Sequence, residues 1–135
     1  MKVLIIGLGS VGHSIAARLR NTDEIDVLVS KESEITEIKD QNGEGNIINN
    51  VYDYDNLPIK TYDLIFLTLP NKYKINRTKQ IKDIIPSSNV CVVPGNQGII
   101  EFLDKSFVGN HNMILFERVP YITRINKNKT QYYKE

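Results

Sequence analysis

Only one cysteine, Cys91, occurs in 135 residues, which excludes a disulfide within the chain and points to a reducing compartment. It lies inside the apolar run Val90-Cys91-Val92-Val93, the setting of a small buried hydrophobe. An excess of either charge is also missing. Lys and Arg number 17 against 16 for Asp and Glu, so no overall field draws the protein to nucleic acid or to a membrane surface. No apolar stretch approaches the roughly twenty residues needed to cross a bilayer, and there is no internal repeat or low-complexity tract. Histidines number only 2, and no Ser-His-Asp set, metal-ligand spacing or P-loop is present. These absences describe a cytoplasmic protein of one domain, long enough to bury a real core, whose partners must be recognised at local sites.

What is present concentrates at the start of the chain. Gly7, Gly9 and Gly12 form a GxGxxG pattern directly behind the apolar run Val3-Leu4-Ile5-Ile6. Behind a strand and ahead of a helix, that spacing has a mechanical meaning. Gly7 permits the tight turn, Gly9 leaves no side chain between the backbone and a pyrophosphate, and Gly12 lets the helix sit close on the sheet. The helix N-terminus adds free N–H groups and a partial positive charge. Gly7, Leu8, Gly9, Ser10, Val11 and Gly12 are therefore the candidate phosphate cradle, the competing reading being a glycine-rich turn without a ligand. From Ser10 to Arg20, the residues Val11, Ile15, Ala16 and Leu19 make one apolar stripe with Arg18 and Arg20 off it, an amphipathic crossover helix. A secretory signal would also begin with Met1-Lys2 and an apolar stretch, but the glycines at strand-turn-helix spacing and His13 in its midst argue against one.

Beyond this unit, strand and helix alternate. Ile25 to Val29 is a second β-branched run. Ser33 is placed to cap a short helix to about Lys39, with Ile35 and Ile38 inward and Gly43 and Gly45 breaking it. Ile47 to Val51 reads as a strand, 52–60 as a polar, turn-rich stretch, and 62–69 as the clearest buried strand. Pro70 stops that strand and Asn71 can cap a helix whose inner face is Ile75, Ile81, Ile84 and Ile85, ended by Pro86. Val90 to Val93 is a strand, Pro94 to Gly98 a turn, Ile99 to Leu103 a short helix, and Met113 to Phe116 a final strand, with His111 in the turn before it. The pattern is that of an α/β fold, a Rossmann-type doubly wound parallel sheet in a single domain. Residues 1–125 are assigned to it. Residues 126–135 form a basic tail, read as solvated, or the start of a second domain. Ligands of such sheets bind beyond the carboxyl ends of the strands, which nominates Ser30, Lys31, Thr68, Leu69, Pro70, Pro94, Gly95 and Asn96 as rim neighbours of the glycine turn.

The end of the second strand bears on which dinucleotide is bound. NAD sites carry an acid about twenty residues beyond the glycines, where it accepts from the ribose hydroxyls. Here the strand ends Val29-Ser30-Lys31. A hydroxyl and an ammonium suit a 2′-phosphate, so NADP is favoured over NAD. Glu32 keeps NAD open, as does a reading of Lys31 as a solvated surface residue. His13, in the first turn of the helix, is read as a packing or solvent-facing residue.

Pro94-Gly-Asn-Gln-Gly98 with the following Glu101-Phe102, and Glu117-Arg-Val-Pro120-Tyr121-Ile-Thr-Arg124, resemble the two signature stretches of the opine dehydrogenases. Those enzymes, of the octopine and nopaline type, join a 2-oxo acid reductively to an amino acid with NAD(P)H. The resemblance implies that Gly7 to Gly12 bind the pyrophosphate, Ser30 and Lys31 flank the adenosine ribose, and Leu69 and Pro70 pack near the cofactor. It further implies that Pro94, Gly95 and Asn96 lie beside the nicotinamide and that Glu117, Pro120 and Tyr121 border the substrate side. The family continues into a helical C-terminal domain whose His and Asp carry proton transfer, and the chain stops before it. A small-molecule substrate is thus expected only with a second domain, and a homodimer is the alternative cover for apolar surface left by its absence. The chain is similar, more loosely, to the ketopantoate reductases through Gly7 to Gly12, the Leu67-Thr68-Leu69 strand end and Gly98 to Glu101. It departs from their Asn-Gly pair, since Gly95 precedes Asn96. A stand-alone nucleotide sensor, like the regulatory domains of potassium-uptake channels, is the alternative of another class, although those domains end the second strand with an acid.

Overall fold

The computed structural model describes residues 1–31, 34–81, 88–93, 111–116, 122–126 and 129–133. In chain order its elements are β1 (Lys2–Ile6), α1 (Ser10–Arg18), β2 (Glu24–Leu28), β3 (Glu37–Asp40), β4 (Gly45–Ile47), β5 (Asn50–Tyr52), β6 (Leu64–Leu67), α2 (Asn71–Ile81), β7 (Ser88–Val92), β8 (His111–Leu115), β9 (Ile122–Asn126) and β10 (Lys129–Tyr133).

Val3, Leu4, Ile5 and Ile6 are buried on both faces of β1, so this strand needs cover above and below and belongs at the centre of a sheet. Leu4 and Ile6 pack with Leu28, Ile65, Leu67, Val90 and Val92 beneath Leu57 and Tyr62. Val3 and Ile5 pack with Ile25, Val27 and Cys91 beneath Ile15, Ala16 and Ala17 of α1. The sheet has 6 strands in the order β5-β2-β1-β6-β7-β8, every neighbouring pair parallel. Counted along the chain, this is the doubly wound dinucleotide-binding order, which reverses direction between β1 and β6. The crevice therefore opens where Gly7 leaves β1 and Thr68 leaves β6. The expected α/β, Rossmann-type parallel sheet is the fold observed.

Asp26, in the middle of β2, is fully buried, and a carboxylate there is costly unless its oxygens are satisfied. They accept hydrogen bonds from the Tyr62 hydroxyl at 2.8 Å, Lys60 Nζ at 2.9 Å and Asn50 Nδ2 at 2.8 Å. Lys60 also pairs with Glu24. Burial lowers the Lys60 pKa, but the bonds to Glu24 and Asp26 outweigh it and push the ammonium up to about 12. Burial, and next the Asp26 carboxylate, raise that of Tyr62. This network pins the 53–62 segment over one face of the sheet.

Several local expectations are corrected. Of the helix expected over 33–39, residues 34–36 have no regular structure and 37–39 belong to β3, paired antiparallel with β4, while its expected cap, Ser33, lies outside the described residues. The hairpin turn decides it: the Asp40 carboxylate accepts from the Asn42 and Glu44 amides at 2.9 and 3.1 Å, and Gly43 has a φ of +81°. That turn makes Ile38 one buried point of a two-residue alternation rather than part of a helical stripe. The strand expected over 47–51 is two strands in different sheets. The Ile48 N–H donates to the Thr36 carbonyl at 2.8 Å, while Asn49 exchanges bonds with the Ile25 backbone, so the chain crosses sheets between them. Asn71 lies inside α2, where the Pro70 carbonyl accepts from the Lys74 N–H at 3.3 Å and occupies the capping position instead. His111 begins β8 rather than lying in a turn. Residues 129–133, expected as solvated tail, form β10 between β9 and β3 in a second sheet of order β4-β3-β10-β9. This sheet rests against α1, where the Asn46 amide donates to the Ala16 and Leu19 carbonyls at 2.7 and 2.9 Å and closes the helix end. The helix expected over 99–103, and the residues Ile84, Ile85 and Pro86, lie outside the described residues.

Candidate functional site

At the topological switch point, a cleft of about 570 Å³ runs along the carboxyl ends of β1, β2 and β6. Its floor is the glycine turn. Gly7 has a φ of +92°, and a Cβ there would stand 2.9 Å from Leu69 Cδ2 and 3.0 Å from Thr68 Oγ1, so both backbone and space demand glycine. Gly12 does not line the cleft. A Cβ on it would lie 2.2 Å from the Gly7 carbonyl oxygen, which makes it the close helix-to-turn contact expected from the motif. Gly9 differs from both: its backbone is extended, with φ −85° and ψ −164°, and a Cβ would meet nothing within 4 Å among the described residues. No packing among the described residues asks for glycine there. Gly9 caps α1 without a side-chain hydrogen bond, and the first turn holds no acidic residue, so an incoming anion meets no competing carboxylate on that turn.

Thr68 was a candidate contact, but the structure turns its hydroxyl to the Ile6 and Gly7 carbonyls at 2.8 and 2.9 Å. It braces the turn, while Leu8, Leu69 and Pro70 line the cleft itself. Ser10, Val11 and Gly12 form the first turn of α1 just behind it. His13 is buried, 3% exposed. With Nδ1 3.0 Å from the Gly9 carbonyl, that nitrogen carries the proton, and Nε2 has no partner among the described residues. Burial holds the imidazole pKa below its ordinary value, against the raising effect of the Gly9 and Leu8 carbonyls. His13 is thus a packing residue that fixes the Gly9 carbonyl.

The other end of the cleft is bounded by Leu28, Val29, Ser30 and Lys31 at the end of β2. The Val29 N–H donates to the Tyr52 carbonyl at 2.9 Å, which holds this end against β5. Facing it are residues that sequence reasoning missed: Ile35, Tyr54, Tyr73 and Arg77. The Arg77 guanidinium lies over the Tyr54 ring, 4.2 Å from its centroid. A signal for two of these existed, since Pro70, Tyr73 and Arg77 follow the three- and four-residue spacing of a single helix face pointing back to the rim. Among the described lining residues Lys31 and Arg77 carry charge and no carboxylate does. Pro94, Gly95, Asn96, Glu117, Pro120 and Tyr121 lie outside the described residues. The strand ends ahead of them share the rim, the Val93 N–H donating to the Leu67 carbonyl and the Phe116 N–H to that of Val92, each at 3.0 Å.

The family model of the ketopantoate reductase PanE/ApbA matches residues 3–131. The chain belongs to that family. Its fold is that of the nucleotide-binding, Rossmann-type domain of these oxidoreductases, and membership holds even though Gly95 precedes Asn96. Octopine dehydrogenase, solved with NADH and L-arginine, is similar at a TM-score of 0.81 and 17% identity, with 98% of this chain covering 39% of that one. The probable 2-dehydropantoate 2-reductase PanE from Bacillus subtilis gives 0.68 at 19% identity, 98% of this chain covering 46% of that one. D-mandelate dehydrogenase with NADH and anilino(oxo)acetate gives 0.69 at 11% identity, 99% covering 46%. The ketopantoate reductase-family chain thus spans less than half the length of each of these enzymes, and at such identities the likeness establishes the fold. No curated protein matches it significantly in sequence. No helix among the described residues is long and apolar enough to cross a membrane.

Proposed function

We propose that this ketopantoate reductase-family chain is the cofactor domain of an oxidoreductase acting on 2-oxo acids, of the opine dehydrogenase kind, and that its cleft binds NADP in preference to NAD. The observation that carries the reading is Gly9. Among the described residues no neighbour within 4 Å explains its missing side chain, but a pyrophosphate approaching the acid-free end of α1, which has no side-chain cap, needs that space. The residues fit the group at its other end too, where Ser30 and Lys31 offer a hydroxyl and an ammonium to a phosphorylated ribose.

In this reading the α1 amides hold the diphosphate, Leu69 and Pro70 form an apolar wall that keeps water from the bound group, and Pro94 to Asn96 flank the nicotinamide. Glu117, Pro120 and Tyr121 border the substrate side. When bound, the reduced nicotinamide supplies a hydride, and the protein supplies placement and a proton. We assign the proton donor and the amino-acid site to a second domain, because His13 is buried with its protonated nitrogen committed to Gly9. Family membership favours this enzyme reading over a stand-alone nucleotide sensor.

The test is titration of NADPH and NADH into the folded chain, followed by nicotinamide fluorescence and by heat. Binding of both, tighter for NADPH, is expected; no signal with either would end the proposal. NADPH oxidation with 2-oxo acids plus amino acids is expected to be absent from this chain alone, and robust turnover would show that the catalytic groups are misassigned.

A further inference from the structure

The wall opposite Lys31 carries a second cation that neither the glycine turn nor the end of β2 accounts for. Arg77 stands on α2, one turn beyond Tyr73, and its Nη1 donates to Gln80 Oε1 of the same helix at 3.0 Å. The guanidinium carbon lies over the Tyr54 ring, 4.2 Å from its centroid. Tyr54 itself packs against the core beside Leu57 and Tyr62, so the ring is a fixed plate rather than a mobile side chain. A tyrosine is neutral at physiological pH, and burial raises the Tyr54 hydroxyl pKa further. A guanidinium stacked on one face has its plane set in advance, while its edge keeps N–H donors for an oxyanion.

The electrostatics of the place are unusual for a surface arginine. Arg77 makes no salt bridge with a carboxylate among the described residues. It shares its cleft with Lys31, and the described lining has no acid. Two cations that line a single cleft repel each other unless an anion enters. The α1 terminus provides for a diphosphate at the other end of the cleft, so the anion here is a separate one.

We propose that Arg77, held by Tyr54, is a specificity-determining residue that receives the phosphomonoester on the 2′ position of an adenosine ribose, opposite Lys31. The proposal rests on the cleft being a dinucleotide site and adds that α2, and not only the end of β2, reads the phosphate. Tyr54 acts as a positioning residue behind it.

The experiment uses the full chain, with Kd values for NADPH and NADH from nicotinamide fluorescence and competition by 2′,5′-ADP against 5′-ADP. Arg77→Gln is expected to weaken NADPH and 2′,5′-ADP by about tenfold or more, as loss of a charge-assisted contact does, and to leave NADH and 5′-ADP within about twofold. Arg77→Lys should recover part of the loss because charge survives while the stack does not. Tyr54→Leu should give a smaller loss confined to the 2′-phosphorylated ligands. Equal weakening of NADPH and NADH would place Arg77 on the adenine or the diphosphate and overturn the inference, as would no effect on either. The underlying reading is checked separately with Gly9→Ala, which should weaken both nucleotides alike. If Gly9→Ala behaves so and Arg77→Gln changes nothing, only the inference falls; if the unaltered chain binds neither nucleotide, both fall.

Discussion

Alanine at each of the three motif glycines should separate folding from binding, because the structure gives each glycine a different reason to exist. Gly12→Ala puts a carbon 2.2 Å from the Gly7 carbonyl oxygen, roughly 1 Å or more inside van der Waals contact. Both partners are backbone, so no rotamer change relieves the clash and α1 must move off the turn. Overpacking of this kind costs about 1–3 kcal/mol, and a domain of this size loses roughly 3–4 °C of Tm per kcal/mol. Gly7→Ala meets a flexible side-chain atom, Leu69 Cδ2, at 2.9 Å, but must adopt a φ of +92°, for which about 1–3 kcal/mol is ordinary. Gly9→Ala meets open space among the described residues, with an extended backbone, so its stability should change by less than about 0.5 kcal/mol. Its affinity for NADPH should nevertheless fall by about ten- to a hundredfold, the loss of one charge-assisted bond to the diphosphate. Thermal unfolding by circular dichroism and NADPH titration on the three variants check this. A Gly9→Ala protein that melts as low as Gly12→Ala, or binds NADPH as tightly as the unaltered chain, would refute the assignment of Gly9 to a ligand.

Lys31→Glu should lower the preference for NADPH over NADH by about a factor of ten or more, because an ion pair is exchanged for repulsion; an unchanged ratio of the two Kd values would remove Lys31 from the site. His13 should make stability depend on pH. Burial keeps its folded pKa below the ordinary 6.5, so below pH 6.5 the unfolded chain takes up a proton that the folded chain refuses, and stability falls from that pH down towards the folded value, staying level above it. Denaturant midpoints between pH 5 and 8 should show this slope, and His13→Gln should flatten it. Cys91 is buried, and burial pushes its thiol up to about 11; a thiol-specific disulfide reagent at pH 8 should therefore react only after unfolding, since the thiolate is the reactive form.

The parts of the fold legible in the sequence are those whose burial leaves a local trace. β1 and β6 lie between two covered faces, so they read as unbroken apolar runs, and α1 shows its one-sided contact as a stripe. The hairpin of β3 and β4 leaves a weaker trace. Ile35 and Ile38 are spaced for a helix, and the deciding information sits in Asp40 and Gly43, whose carboxylate and positive φ close a two-strand turn. β10 leaves less still, because a basic stretch becomes a strand only when it pairs with β9 and, in parallel, with β3 from far earlier in the chain. Long-range pairing of that kind has no periodicity to announce it.

The site divides along the same line. The proposed diphosphate end is encoded within six consecutive residues, because a turn, a bare backbone and a helix N-terminus are all local objects, and Gly7, Gly9 and Gly12 stand at the strand-turn-helix spacing of the motif. The proposed ribose end is assembled across the sheet: Lys31 comes from the end of β2, Tyr54 from the segment after β5, and Arg77 from a helix after β6. Reading along the chain nominates Lys31 as a candidate, since it follows a recognisable strand at the expected distance, and passes over Arg77, whose sequence neighbourhood is simply a polar helix. Thr68 shows a different limit. Its position on the rim was legible, but the sequence holds no sign that its hydroxyl is taken up by the Ile6 and Gly7 carbonyls. A residue's place on the rim thus follows from topology, while its availability to a ligand depends on which hydrogen bonds the turn has already claimed.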